Sequence, residues 1–153
     1  MNYKGSYCAL ITPFKEDAID KDSLKKIIKW HISQGTKGVI PCGTTGESPT
    51  LSHNEHKEVV EIATEVADNK IQVMAGTGSN STKEAIALTN HAREAGADSA
   101  LVVVPYYNKP SQQGLIEHYL RIADAVPLPI FIYNIPGRSV IDMENETIEK
   151  LAE

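Results

Sequence analysis

A chain of 153 residues, 41% hydrophobic and 23% charged, has the size and composition of one soluble globular domain. Fifteen basic against twenty acidic residues give a net charge of -5, which disfavours nucleic acid or an anionic membrane surface as the main partner. No apolar run approaches the ~20 residues of a membrane span and the opening MNYKGSY lacks a signal-peptide pattern, so a cytoplasmic location is expected.

In chain order, the first apolar, β-rich run is CALITPF (8–14). Leu24, Ile27, Ile28, His31 and Ile32 then follow helical spacing, and Gly35 closes that helix. The second run is GVIPCG (38–43), followed by a helix that opens on Ser52 and Glu55 at capping-box spacing. QVMAGTG (72–78) leads to a second such pair, Ser81 with Glu84, and Gly96 ends the third helix. SALVVVPYY (99–107) precedes a helix that Pro127 stops, and PIFIYNIP (129–136) precedes a last helix from about Glu144. Cys8 and Cys42 both fall in predicted strands and are expected to be reduced core residues; no further ligand is spaced to make a zinc site, and no metal is expected.

The five runs start 30, 34, 27 and 30 residues apart, the length of one βα unit. Five such units allow a doubly wound open sheet or five-eighths of a (β/α)8 barrel, and periodicity does not separate them. In both, functional groups gather at the C-terminal ends of the strands. There this chain carries TPF, GTTGES, GTGSNS, PYYNKPS and YNIPGRS: hydroxyls, glycines, tyrosines and Arg138, with few carboxylates and no histidine.

GTTGE (43–47) has neither the lysine of a phosphate-binding P-loop nor the glycine pattern of a dinucleotide fold. Its exposed amides and the hydroxyls of Thr44 and Thr45 suit a carboxylate; a tight turn whose glycines take positive φ accounts for the pattern equally well. Tyr106, Tyr107 and Tyr133 end neighbouring strands, where a phenol can shuttle protons within a hydrogen-bonded chain or simply rest at the lip of the core. Arg138 is either a surface residue or a bidentate carboxylate clamp.

Taken together, GTTGES, PYYNKPSQQGL and YNIPGR, in this order and spacing, resemble the dihydrodipicolinate synthase family, within the N-acetylneuraminate lyase superfamily of class I aldolase-like (β/α)8 barrels. The resemblance covers residues 3–153 and implies a barrel rather than an open sheet. It implies a lyase of lysine (diaminopimelate) biosynthesis that condenses pyruvate with aspartate semialdehyde through a lysine Schiff base, without a cofactor. Carried over by position, Tyr133 becomes the proton donor and acceptor. Thr44 relays to Tyr107, which in the family reaches in from a neighbouring subunit. Thr45 and nearby amides hold the pyruvate carboxylate, and Arg138 holds that of the semialdehyde. The arginine of YNIPGR and the Thr-Thr pair favour the synthase over the N-acetylneuraminate and sugar-acid lyases. In lysine-regulated members the end product binds at a subunit interface, matching Ser48, Leu51, His53, His56, Asn80, Glu84 and Tyr106 here. Pro49 departs from the smaller residue usual beside them. The complete proteins are commonly tetramers.

A hydroxyl relay fits Schiff-base chemistry, because it moves protons without placing fixed charge beside an amine that must be neutral to attack. The lysine itself belongs on a sixth strand, expected shortly after Glu153. Of the twelve lysines, Lys37 and Lys109 lie nearest strand ends, and neither takes a position facing a barrel interior. Residues 1–153 are therefore expected to form a single incomplete barrel domain that is inactive alone; a non-catalytic half-barrel that binds small carboxylates is the alternative.

Overall fold

The structure of the chain, a computed structural model, describes residues 2–152. Strand β1 (Tyr7–Ala9) leads into a small hairpin, β2 (Phe14–Lys15) with β3 (Ala18–Ile19), and then helix α1 (Lys21–Ser33). Next come β4 (Gly38–Ile40), a 3-10 turn at Ser48–Thr50, α2 (His53–Ala67), β5 (Gln72–Gly76) and α3 (Thr82–Glu94). The remaining elements are β6 (Ser99–Val103), α4 (Gln112–Ala125), β7 (Ile130–Tyr133), the short α5 (Pro136–Ser139) and α6 (Asn145–Ala152).

Strand order decides the architecture. The parallel sheet runs β1-β4-β5-β6-β7, so each strand pairs with the one before it in the chain. A doubly wound sheet must reverse direction somewhere; a barrel wall does not. The chain is thus a run of five βα units of a (β/α)8 barrel. The register Val39↔Val73, Ala75↔Ala100 and Val102↔Ile132 aligns side chains on one face of the sheet. Of these, Val39, Val73, Ala75, Ala100 and Val102 are buried in the two cores formed with the helices. The alternate positions Ile40, Leu101, Val103, Phe131 and Tyr133 line the inner face and are half-buried.

The helices form where the apolar stripe predicts them. In α1 the buried residues are Leu24, Ile28 and His31, with Asp20 accepting the Ser23 amide as cap, and Gly35 beyond it takes φ 72°. The box that opens α2 is complete: the Ser52 amide donates to Glu55 at 2.8 Å, and the Glu55 amide to Ser52 Oγ at 3.3 Å.

Four local features differ from expectation. The first run breaks after Ala9 into the β2–β3 hairpin, because Glu16 and Asp17 adopt φ 50° and 62°, the mirror-image turn that two-residue hairpins favour. Cys42 lies beyond β4, not within it. The positive φ expected of the GTTGE glycines falls instead on Cys42 (56°) and Glu47 (56°). Finally, Ser81 caps the Glu84 amide at 3.4 Å, but the Glu84 carboxylate turns away to other partners, so the second box is only half made.

Both cysteines are free thiols. Among the described residues, no helix is long and apolar enough to cross a membrane, and no group of three His, Cys, Asp or Glu side chains is placed to hold a metal ion.

Candidate functional site

The C-terminal ends of β4, β5, β6 and β7 open onto one cavity of about 490 Å3. Thr44, Tyr133 and Arg138 lie on its wall, and so do Ser48, Leu51, His53, His56, Glu84 and Tyr106. Both groups of residues singled out in the sequence therefore share one continuous depression. Thr45, Asn80 and Tyr107 do not line it. The Asn80 carbonyl is tied to the Asn108 side chain at 2.9 Å, and Tyr107 is 89% exposed.

The GTTGE loop is shaped by its neighbours. Thr12, buried at the end of the β1 segment, donates its hydroxyl to the Gly46 carbonyl at 2.7 Å. A Cβ on Gly46 would sit 3.0 Å from the Leu10 carbonyl oxygen, so glycine is needed here for close approach rather than for φ. Within the loop, the amides of Gly46, Glu47 and Ser48 are spent on the carbonyls of Gly43 and Thr44. Those of Thr44 and Thr45 donate to no protein acceptor among the described residues, leaving two amides and two hydroxyls together in one exposed turn.

Backbone strain occurs in three of the segments that follow these strands, the last at the C-cap of α5. Cys42 (φ 56°), Tyr107 (φ 73°) and Val140 (φ 69°) all occupy the left-handed region, which is a true outlier for a β-branched valine. Arg138 stands on α5, whose Ser139 hydroxyl donates to the carbonyls of Ile135 (3.0 Å) and Ile141 (2.9 Å). No carboxylate among the described residues pairs with its guanidinium.

The second group forms a polar cluster on the same wall. Glu84 accepts a hydrogen bond from the Ser79 hydroxyl on one oxygen and faces His53 Nε2 at 2.8 Å with the other. The Ser79 bond above all, and then His53, hold its carboxyl below the ordinary value. His56 is 4% exposed and donates from Nε2 to the Gly76 carbonyl at 2.8 Å, while its Nδ1 has no partner among the described residues. Burial pulls this imidazole below its usual value, so it is neutral near pH 7. Cys42 also reaches the wall, but burial pushes its thiol up to about 12, which rules it out as a nucleophile at neutral pH. Among the described residues no lysine lines the cavity, and Lys109 is exposed on the tyrosine loop.

Such an arrangement can bind small carboxylates and move protons through hydroxyls, yet it offers no amine for covalent chemistry. Comparison with known proteins shows the family. The Dihydrodipicolinate synthetase family matches residues 2–153. The chain belongs to that family. A 4-hydroxy-tetrahydrodipicolinate synthase of Bradyrhizobium diazoefficiens is 56% identical over 151 residues, covering 99% of this chain and 51% of the relative. Among solved structures, the dihydrodipicolinate synthase of Acinetobacter baumannii, complexed with pyruvate, superposes with a TM-score of 0.95 at 51% identity, covering 97% of this chain and 52% of that one. The enzyme of Cyanidioschyzon merolae with lysine bound gives 0.93 at 43% identity, covering 97% and 51%. The chain thus spans about half the length of the relatives it matches.

Several residues that shape the site lie in the strand-end segments but were not singled out individually in the sequence. Gly76 and Gly78 form its inner wall, where a Cβ would meet the Cys42 carbonyl oxygen and the Val103 amide nitrogen at 2.2 and 2.3 Å. Ser79 orients Glu84, and Thr12 holds the GTTGE loop. GTGS does mark a turn, but which strand its glycines approach depends on the sheet order.

Proposed function

We propose that residues 1–153 form the carboxylate-binding and proton-relay half of a 4-hydroxy-tetrahydrodipicolinate synthase, a lyase of lysine biosynthesis. The observation that carries this reading is the placement of Thr44, Tyr133 and Arg138 around one cavity from which every lysine of the segment is absent. The nucleophile then comes from a later strand, in a chain of the relatives' length. Its amine condenses with the ketone of pyruvate and expels water, Tyr133 handling the protons. Loss of a methyl proton from the resulting Schiff base gives an enamine, whose carbon bonds to the aldehyde carbon of aspartate semialdehyde as the aldehyde oxygen takes up a proton. The amine of that second substrate then closes the ring and displaces the lysine.

Within the cycle, Thr45 and the unpaired amides of its turn hold the pyruvate carboxylate, and the unpaired Arg138 takes that of the semialdehyde. Thr44 links Tyr133 to a tyrosine supplied from outside the subunit. The 89% exposure of Tyr107, away from its own cavity, fits donation to a neighbour within a homo-oligomer, tetrameric in the complete protein. Lysine is the expected feedback ligand, its amine paired by Glu84 and its other end bonded by Asn80 and Tyr106. Ser48, Leu51, His53 and His56 complete that enclosure, and the pKa of Glu84 keeps it anionic.

Borohydride trapping with pyruvate tests the reading. It is applied to residues 1–153 and to a chain of the relatives' length that carries them. An adduct only on the longer chain supports it, whereas an adduct on one lysine of the short chain moves the nucleophile into this half. Trapping on neither leaves a carboxylate-binding half-barrel without catalysis. Loss of aspartate semialdehyde turnover in Arg138→Ala, with pyruvate trapping retained, separates the synthase from the sugar-acid lyases.

A further inference from the structure

Arg138 stands on a four-residue helix in an irregular stretch between β7 and α6, a poor platform for a residue that must hold a substrate group in place. Two amide side chains brace that stretch. Gln112, the first residue of α4, donates Nε2 to the Asp142 carbonyl at 2.9 Å. Its Oε1 accepts the Glu144 amide at 3.2 Å and the buried Thr147 hydroxyl at 2.7 Å. Asn134, directly after Tyr133, donates Nδ2 to Asp142 Oδ1 at 2.7 Å and accepts the Met143 amide at 3.3 Å. Three of these five bonds converge on one glutamine, and that glutamine also ends the PYYNKPSQ loop that bears Tyr106 and Tyr107.

We propose that Gln112 is a positioning residue that fixes the Arg138 turn against the tyrosine loop and thereby sets affinity for the second substrate's carboxylate. The inference rests on the reading of Arg138 given above. The bonds run to residues 142, 144 and 147, so the side chain acts at a distance from the guanidinium and touches no substrate. Without it, the N-terminal turn of α6 loses both its acceptor and its tether, and the residues between Ser139 and Glu144 keep the Asn134 side chain and the Ser139 hydroxyl on Ile141. A carboxylate clamp gains its specificity from fixed geometry, and displacement of about 1 Å is enough to cost much of it.

The test is steady-state kinetics on a chain of the relatives' full length carrying these residues, as wild type, Gln112→Ala and Thr147→Val. The last removes one hydroxyl while keeping the side-chain shape. The expected result for Gln112→Ala is a KM for aspartate semialdehyde raised on the order of tenfold, with the KM for pyruvate within about twofold. Thr147→Val shifts the same constant in the same direction, by less. Thermal melting followed by Trp30, which lies on α1 away from this network, shows that each variant is folded. If Gln112→Ala does not melt cooperatively, Thr147→Val carries the decision. An unchanged KM for the semialdehyde, or a parallel rise for both substrates, overturns the positioning role. An unchanged KM for the semialdehyde in Arg138→Ala, measured alongside, instead overturns the underlying reading of Arg138.

Discussion

At the scale of single residues, the chemistry depends on which groups can change protonation where they stand. Tyr133 is half-buried on the inner face, and its hydroxyl has no hydrogen-bond partner among the described residues. Tyr133→Phe keeps the ring and removes the hydroxyl, so on the proposed relay role kcat of the long chain should fall on the order of 10^2–10^4-fold with pyruvate still bound. Isothermal titration beside turnover assays checks both halves, and a variant retaining most of its kcat would remove Tyr133 from the relay. The buried imidazoles govern stability instead. Burial holds His56 and His118 below the ordinary value, and each leaves one ring nitrogen unpartnered. Below the usual 6.5 the unfolded chain therefore binds more protons than the folded one. Their contribution is fully present above that pH and is lost as pH falls through the depressed folded values. Denaturation midpoints should drop as pH falls below about 6.5, and less steeply in His56→Gln/His118→Gln. An unaltered slope in the double variant would show that other groups set it. Glu84 acts in a lower window: its carboxyl is depressed, so its contribution disappears only on acidification below the ordinary glutamate value.

Between elements, glycines decide how closely the loops approach one another. Gly76→Ala would force a Cβ to 2.2 Å from the Cys42 carbonyl oxygen, and backbone offers no rotamer by which to yield. A loss of ~3 kcal/mol or more is expected by urea denaturation. At Gly43 the nearest atom to an added Cβ is Ile40 Cγ2 at 3.9 Å, so Gly43→Ala should leave stability within ~1 kcal/mol, although it faces the cavity. Equal costs at the two sites would mean that close approach does not shape the wall. Ser52→Ala should cost ~1 kcal/mol by undoing the complete box of α2. What could be read without coordinates follows the same division. Local patterns marked the five main strands, the α1 stripe and the Ser52–Glu55 box, because each depends on residues a few positions apart. The half-made box of α3 was not legible, since Glu84 is drawn off by His53, 31 residues earlier in sequence. Nor was the β2–β3 turn, where Glu16-Asp17 replaces the glycine-bearing pair that usually signals a hairpin. Gly76 and Gly78 pass for turn residues until the sheet order brings Cys42 and Val103 against them. The motifs singled out Thr44, Tyr133 and Arg138, but their convergence on one wall, and the absence of Thr45, Asn80 and Tyr107 from it, required the fold.

For the whole molecule, the question is what covers the surfaces a finished barrel would hide. Strands β1 and β7 are the two ends of the sheet, each with one row of backbone groups facing no further strand among the described residues. Beside β1, a groove lined by Leu10, Ile11, Ile27 and Trp30 is largely apolar, with Ile11 and Trp30 54% and 56% exposed. At the other end Ile132 on β7 and Ile148 on α6 are exposed, and between the ends lies the half-buried inner face. Unpaired parallel edges flanked by apolar side chains are templates for association, and a net charge of -5 is modest opposition. Residues 1–153 alone should therefore sediment as oligomers at about 10 μM, in the range where exposed edges associate. Adding a polypeptide that corresponds to the unmatched half of the Bradyrhizobium relative should compete for these surfaces and reduce the association. It should also shift Trp30 emission to shorter wavelength as the groove beside β1 fills. Self-association and complementation both draw on the same uncovered edges, so they must trade off as the second polypeptide is titrated in. A monomeric short chain whose Trp30 emission ignores that polypeptide would mean the edges are protected by other means, and that this half does not need its counterpart to remain soluble.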